Sequence, residues 1–241
     1  MKRRVYGPAP PQKKKKQNKK MSLSKTSYKR PVVLSSFNRQ TPAVNGPSRL
    51  KTTFIYVENG ISLNPGLGGT ASAVVFSLNS LFDPYVTGTG HQPTGYDQLM
   101  SIYEEYIVYG VAYKVQIANS EGTLEAIHGV TITDQNTTAS DARQYMENGQ
   151  TQFECVSNRS SNNISKFSGY VDMAKLHGMS MQQYIEEYDY KGRQTSNPVA
   201  NGYLHIWAAP MNATSDIGDQ PVYCELTFYV ELSGGKLNNL S

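Results

Sequence analysis

Apolar and polar residues alternate along two long stretches of the chain. In residues 106–119 (YIVYGVAYKVQIAN), one face carries Ile107, Tyr109, Val111, Tyr113, Val115 and Ile117, and the other carries Gly110, Ala112, Lys114 and Gln116. In residues 221–232 (PVYCELTFYVEL), the apolar face carries Val222, Cys224, Leu226, Phe228, Val230 and Leu232. A period of two residues predicts a β-strand in each stretch. Cys224 lies in the apolar row and is predicted to be a small core residue, not a reactive thiol.

Weaker strand patterns and short helical patterns fill the rest of this region. Segments rich in β-branched or aromatic residues and bounded by turn formers lie at 52–58, 72–78, 123–133, 151–157, 165–171 and 203–209. Helical patterns are confined to insertions at 96–106, 139–149 and 172–189. About eight strands with few helices predict an all-β sandwich or barrel. We expect an eight-stranded antiparallel jelly-roll sandwich with short helical insertions, and an immunoglobulin-like sandwich is the alternative.

Charge divides the chain near Lys51. Residues 1–51 contain fifteen Lys and Arg and no acidic residue, whereas residues 52–241 contain eight basic and nineteen acidic residues. The few apolar residues of the first segment show no period, so burial cannot offset the entropy cost of ordering it. We therefore predict a disordered basic N-terminal arm over residues 1–51 and a folded jelly-roll domain over residues 52–241.

The charge of the arm predicts a polyanionic partner. Each cation that meets a phosphate releases counterions, so the arm is expected to bind nucleic acid tightly, with little sequence preference and a steep salt dependence. Few aromatic residues accompany the charge, which favours packaging over base recognition. The run KKKKQNKK (13–20) also resembles a nuclear import signal, and a basic tail can bind an anionic membrane surface. The cations assigned to nucleic-acid binding, as interchangeable charges, are Lys2, Arg3, Arg4, Lys13, Lys14, Lys15, Lys16, Lys19, Lys20, Lys25, Lys29 and Arg30.

Residues with catalytic or metal-binding chemistry form no recognisable motif, and we predict that the chain is not an enzyme. The histidines are scattered, and none has catalytic or metal-ligand spacing to a carboxylate. Carboxylates cluster at Glu104 and Glu105 and again at Glu186, Glu187 and Asp189. We interpret them as solvated or subunit-contact residues, although they leave open a divalent cation at subunit contacts. We predict no other cofactor, and no apolar run reaches the roughly 18 residues of a membrane helix.

The segment 80–117 (SLFDPYVTGTGHQPTGYDQLMSIYEEYIVYGVAYKVQI) resembles coat proteins of small circular single-stranded DNA viruses, the circovirus-like group. The basic arm and the strand YLHIWAAP near the C-terminus are also similar to that family. Within the motif we expect structural roles for the residues of the loop and the strand. His91 and Asp97 are expected to hydrogen-bond backbone groups of the loop, and the alternative is that His91 titrates and controls assembly. The structural motif residues are Asp83, Pro84, His91, Gln92, Pro93, Asp97, Tyr109 and Gly110.

The resemblance implies a single jelly roll that assembles into a small icosahedral shell, commonly of sixty copies, with the arm facing inward. Our hypothesis is a capsid protein that packages circular single-stranded DNA. Its expected partners are further copies of itself, the DNA, a nuclear import receptor and an unidentified cell-surface receptor, in the virion and the host nucleus. The alternatives are the same architecture packaging RNA, and a monomeric nuclear β-sandwich binding module that carries an import signal.

Overall fold

Nine β-strands make up about half of the described residues in the computed structural model, which describes residues 47–67, 69–120, 124–157, 163–212 and 214–236. The strands are β1 Arg49–Leu63, β2 Ser72–Ser77, β3 Tyr103–Ala118, β4 Glu125–Thr133, β5 Thr151–Ser157, β6 Ile164–Asp172, β7 Lys191–Arg193, β8 Tyr203–Pro210 and β9 Gln220–Gly235. The helices are α1 Tyr96–Met100, α2 Ala142–Met146, α3 Met173–Leu176 and α4 Met181–Glu186, followed by a 3-10 turn at Tyr188–Tyr190. None of these helices is long and apolar enough to cross a membrane.

The strands form two antiparallel sheets whose order defines a jelly roll. One sheet has the order β1-β9-β3-β6, with β7 also pairing to β3, and the other has the order β2-β8-β4-β5. When the three-residue β7 is set aside, consecutive strands cross between the sheets except at β4 and β5, which are neighbours in one sheet, and this is the order of two interlocked Greek keys. The predicted jelly-roll sandwich is therefore confirmed, with one short strand added to the eight expected.

The alternation of β9 builds one side of the core. All six predicted inward residues are less than 5 % exposed, and the intervening positions face outward. Cys224 is fully buried, and this burial raises the pKa of its thiol. The prediction that Cys224 is a core residue is confirmed.

A β-bulge in β3 corrects the predicted face of that strand. Val108 pairs with Val230 and Gly110 pairs with Tyr229, so Tyr109 has no partner on β9. An extra residue shifts the alternation by one position. As a result Tyr106 and Val108 lie on the same face as Val111, Tyr113, Val115 and Ile117, whereas Ile107 and Tyr109 lie on the opposite face, where Ile107 is itself buried. The prediction that Ile107 and Tyr109 lie on the same face as Val111 was wrong.

The helical insertions are shorter than predicted. Within the helical pattern at 96–106, the helix covers only α1. The residues from Tyr103 onward belong to β3 and pair with β9, beginning with Tyr103 opposite Gly235. The segment 172–189 is divided after α3, where Gly178 has a φ of +68° that L side chains rarely adopt. α4 then restarts with a capping box in which Ser180 and Gln183 satisfy each other's backbone amides.

A second, smaller core lies on the outer face of the four-stranded sheet, where α2 covers it. Trp207 is fully buried, stacks on Tyr145 at 5.2 Å between ring centroids, and donates from Nε1 to Thr131 Oγ1 at 3.0 Å. Gly129 is paired directly with Trp207, and a Cβ atom there would lie 2.3 Å from the indole ring. The glycine therefore provides the space that the indole occupies.

Buried histidines link the elements. His128 of β4 reaches the opposite sheet, with Nδ1 2.8 Å from Ser165 Oγ and Nε2 3.1 Å from Gln220 Oε1. His205 of β8 donates from Nε2 to the carbonyl of Gln135 at 2.8 Å. Burial lowers the pKa of His128, His205 and the partly buried His177, so each is neutral in the fold.

We expect the folded body to lose stability in acid because of these histidines. An unfolded histidine binds a proton near pH 6.5, whereas each folded one binds it only at a lower pH. Their contribution to stability is therefore complete above pH 6.5 and is lost as the pH falls through the lowered pKa values. Thermal melts of unassembled protein at pH 7.5 and 5.5 should show a lower Tm in acid, by about 2–4 °C per kcal/mol lost.

Removal of one buried histidine tests this prediction. His128→Gln should reduce the pH dependence of Tm. Equal Tm values at both pH values in the unsubstituted protein would contradict the prediction.

Candidate nucleic-acid interface

The predicted arm joins the fold at the start of β1, and little of it belongs to the described residues. The twelve cations from Lys2 to Arg30 that were assigned to nucleic-acid binding lie outside the described residues. The described chain begins at Pro47, whose carbonyl accepts a hydrogen bond from the Tyr103 hydroxyl at 3.0 Å. Arg49 and Lys51, the last two cations of the predicted arm, are already part of β1.

Two cross-strand rows place charged residues together at this end of the five-stranded sheet. In one row Arg49, Ser233, Glu105 and Arg193 lie opposite one another on β1, β9, β3 and β7. In the next row on the same face, the corresponding residues are Lys51, Glu231, Ile107 and Lys191. Residues directly opposite in antiparallel strands share a face. We call the charged residues of these rows the arm-base surface: Arg49, Lys51, Glu105, Lys191, Arg193 and Glu231.

Ion pairs in the arm-base surface bury the Glu231 carboxylate and leave Arg49, Lys51 and Arg193 near solvent, whereas Glu105 and Lys191 are both partly buried. Glu231 lies 3.2 Å from Arg49 and 3.7 Å from Lys51, and its side chain is only 7 % exposed, against 69 % and 76 % for its partners. Glu105 lies 3.9 Å from Lys191 and 3.4 Å from Arg193. Four cations and two carboxylates give the surface a net charge of +2.

Tyrosine rings complete the arm-base surface. Tyr109, placed on this face by the bulge, donates its hydroxyl proton to Glu231, and burial together with that hydrogen bond raises the pKa of the phenol. Lys51 lies 5.2 Å from the centroid of the Tyr109 ring, and Arg193 lies 5.3 Å from that of Tyr188. A buried carboxylate is stable only when its oxygens are compensated, and Glu231 has three such partners.

The opposite end of the same sheet face has a different character. Lys114 of β3 pairs with Glu225 of β9 at 2.8 Å, and Lys166 of β6 is exposed one row further along. Neither lies within the rows of the arm-base surface. Lys114 and Lys166 are therefore cations of the same sheet with which the cations of the arm-base surface can be compared.

The loop that carries most of the motif lies farther along β1, apart from the arm-base surface. The His91 ring stacks on Tyr56 at 4.6 Å, and its Nδ1 lies 3.6 Å from a Glu58 carboxylate oxygen that also accepts from the Tyr56 hydroxyl. Phe82, Asp83, Gly90, His91 and Gln92 line a pocket of about 450 Å³. Burial raises the pKa of the Asp83 carboxyl.

The other motif residues have structural contacts. The carbonyl of Pro84 accepts from the Ser77 amide at 2.8 Å, and that of Pro93 accepts from the Tyr96 amide at 3.1 Å. With its NH₂ group turned toward Asp97, Gln92 donates to both carboxylate oxygens at 3.1 and 3.2 Å. The His91 side chain therefore lies beside the Glu58 carboxylate and the Tyr56 ring, and the Asp97 carboxylate lies beside the Gln92 amide. Backbone groups were the predicted partners of both. A Cβ atom at Gly110 would lie 2.2 Å from the Tyr170 hydroxyl oxygen, so glycine makes room for that ring.

The predicted carboxylate clusters have different surroundings. Glu105 is an ion-pair partner in the arm-base surface, whereas Glu186 accepts from Gln182 at 3.1 Å and Glu187 ends α4. Within the described ranges, no three His, Cys, Asp or Glu side chains are arranged to hold a metal ion.

Comparisons with known proteins concern the fold. No family model matches the sequence, and no curated protein matches it. Among solved structures, cocksfoot mottle virus aligns with 11 % identity over 78 % of this chain and 96 % of that chain, at a TM-score of 0.46. The decameric BFDV capsid protein aligns with 10 % identity over 77 % of this chain and 99 % of that chain, at a TM-score of 0.43. Turnip yellow mosaic virus aligns with 9 % identity over 80 % and 99 %, at 0.40. The strand order of the two sheets, and not these likenesses, defines the fold of this chain.

Proposed function

We propose that this chain is a viral capsid protein whose jelly-roll body assembles with copies of itself into a closed shell and whose basic arm binds the packaged nucleic acid. The observation that carries the proposal is the separation of charge along the chain. Fifteen cations and no carboxylate precede residue 52, and a body with eleven more acidic than basic residues follows. Because the body is acidic overall, most of the phosphate binding falls to the arm, and the body mainly builds the shell.

The particular class we propose is the circovirus-like group with a circular single-stranded DNA genome. The support is the motif in residues 80–117, together with the arm and the strand at 203–210. Sixty inward-facing arms would carry about 900 positive charges, enough for on the order of 900 phosphates. The run KKKKQNKK would direct the chain to the host nucleus before assembly, through an import receptor. The role is structural and not enzymatic.

Sedimentation of the full chain beside a chain lacking residues 1–46 tests the proposal. The truncation ends at residue 46 because Arg49 and Lys51 belong to β1 and hold Glu231. We expect megadalton particles from the full chain, with a 260/280 nm absorbance ratio typical of nucleic acid, and a protein-like ratio from the truncated chain. Nuclease digestion of the extracted nucleic acid distinguishes DNA from RNA.

Two outcomes would contradict the proposal. A monomer of about 27 kDa from the full chain would favour a nuclear binding module whose arm is only an import signal. Equal nucleic-acid content in both proteins would remove the arm from packaging. Chelator treatment of any particles tests whether divalent cations hold subunit contacts.

A further inference from the structure

We infer that the arm-base surface is a binding site for the sugar–phosphate backbone of single-stranded nucleic acid, formed by the folded body and continuous with the arm. This inference rests on the proposed function and adds an ordered site to it. The body is acidic overall, yet this face has more cations than carboxylates.

The short strand β7 supplies two of the four cations of the arm-base surface. β7 is only three residues long, and its sequence Lys-Gly-Arg places Lys191 and Arg193 on one face beside β3. Gly192 between them lies against Tyr106, where a Cβ atom would be 2.1 Å from the ring. The strand therefore places two cations on this face, with the Arg193 side chain 57 % exposed and that of Lys191 25 % exposed, while its middle residue has no room for a side chain.

Arg49 and Lys51 lie closer to solvent than Glu231, and this order favours the binding of an anion from solvent. The Glu231 carboxylate lies under Arg49 and Lys51, so an approaching phosphate meets ammonium and guanidinium groups before it meets a carboxylate. Arg49 reaches Glu231 through Nη1, and Arg193 reaches Glu105 through Nη2. A guanidinium has five N–H donors, so each arginine retains donors for a second acceptor while its ion pair fixes its position.

Aromatic rings and a recess extend the site. Tyr188 is 50 % exposed beside Arg193, and exposed rings beside cations are the combination with which proteins bind single strands. Arg193 and Lys236 line an adjoining recess of about 340 Å³ with Glu104, Gln194 and Thr195. The Lys236 ammonium is held there by the Met100 carbonyl at 2.7 Å and by Gln194 Oε1 at 3.0 Å.

The dimensions of the surface and its connection to the arm also suit a single strand. Three strand spacings separate β1 from β7, about 14 Å, and residues two apart along a strand are about 7 Å apart. Arg49 and Lys51 are the last cations of the predicted arm and lie in β1, so nucleic acid held by the residues before them is present at high effective concentration beside this surface. A site of modest intrinsic affinity is filled under those conditions.

Lysine acetylation measured by mass spectrometry tests the inference on the full chain. The unassembled protein is treated with an acetylating reagent at low salt, with and without an oligothymidylate of thirty nucleotides. Lys51 and Lys191 should react several-fold more slowly with the oligonucleotide present. Lys114 and Lys166, on the same sheet face outside the arm-base surface, should react at unchanged rates.

Three results overturn the inference, and they are distinguishable. Protection of the arm lysines without protection of Lys51 and Lys191 removes the site but leaves packaging by the arm intact. No protection anywhere removes both. Protection of Lys51 and Lys191 that appears on assembly without nucleic acid assigns the surface to a contact between copies.

Matched double substitutions provide a second measurement. Lys191→Gln with Arg193→Gln and Lys114→Gln with Lys166→Gln each remove two positive charges from the same sheet face. The first pair should lower the slope of log K against log salt for oligothymidylate by about 1.4, at about 0.7 for each phosphate contact on a single strand. The second pair should leave the slope unchanged, and equal effects of the two pairs would contradict a localised site.

Discussion

Trp207→Ala is expected to destabilise the unassembled body by about 3–5 kcal/mol, the usual cost of truncating a buried aromatic side chain. The indole is fully buried, and its removal leaves a space between Gly129 and Tyr145 and removes the hydrogen bond to Thr131. Urea denaturation of unassembled subunits measures the effect, because assembly would add its own stabilisation.

Two further substitutions separate the causes of the Trp207 effect. Trp207→Phe keeps a ring in the space but loses the donor to Thr131, so its cost should be smaller. Tyr170→Ala, at a side chain that is 58 % exposed, is the control and should cost under about 1 kcal/mol. A loss below about 1 kcal/mol for Trp207→Ala would show that α2 and its cluster contribute little to the fold. If the alanine variant does not fold, the order of Trp207→Phe and Tyr170→Ala still tests the prediction.

Replacing all of Lys13 to Lys16 with Gln is expected to lower the salt slope of single-stranded DNA binding by about 2.8, at about 0.7 for each lost phosphate contact. The unsubstituted protein binds more tightly at 0.1 M salt than at 1 M salt by some factor. In the substituted protein this factor should be smaller by two to three orders of magnitude. Replacing any one of these lysines should have little effect, since the charges are interchangeable. Filter binding or fluorescence anisotropy across a range of salt concentrations gives the slope.

The matched control for this prediction lies within the same arm. Replacing Lys19, Lys20, Lys25 and Lys29 with Gln removes the same charge and should lower the slope by the same amount. A larger effect at one set would indicate a specific site in the arm, and an unchanged slope at both would refute the role of the arm in phosphate binding.

β9 was predictable because it is half-buried, and it shows the predicted alternation over its whole apolar row. In such a strand the pattern reports burial directly, since one face packs against the core and the other does not. β5 has the predicted bounds, 151–157, although most of its side chains are exposed or only partly buried, so its β-branched and aromatic composition was the signal. The jelly-roll order itself depends on which strands pair, and pairing between β1 and β9 joins residues at opposite ends of the body.

The candidate interface was not predictable to the same degree. β7 is too short for a periodic signal, and only pairing with β3 makes Lys191 and Arg193 neighbours of Glu105. The bulge at Tyr109 also leaves no mark in the alternation, because tyrosine suits either face of a strand. The one available signal was the spacing of Lys191 and Arg193, two residues apart around a glycine.

The antiparallel pairing of β1 with β9 gives the arm a mechanical anchorage. β1 lies at the edge of its sheet and pairs with β9 from Arg49 to Leu63, interrupted by an irregularity at Gly60. The ladder hydrogen bonds run perpendicular to the strand. Tension applied along the axis of β1 therefore loads these bonds in shear, so that many must rupture together, whereas a sideways pull would peel them apart one by one.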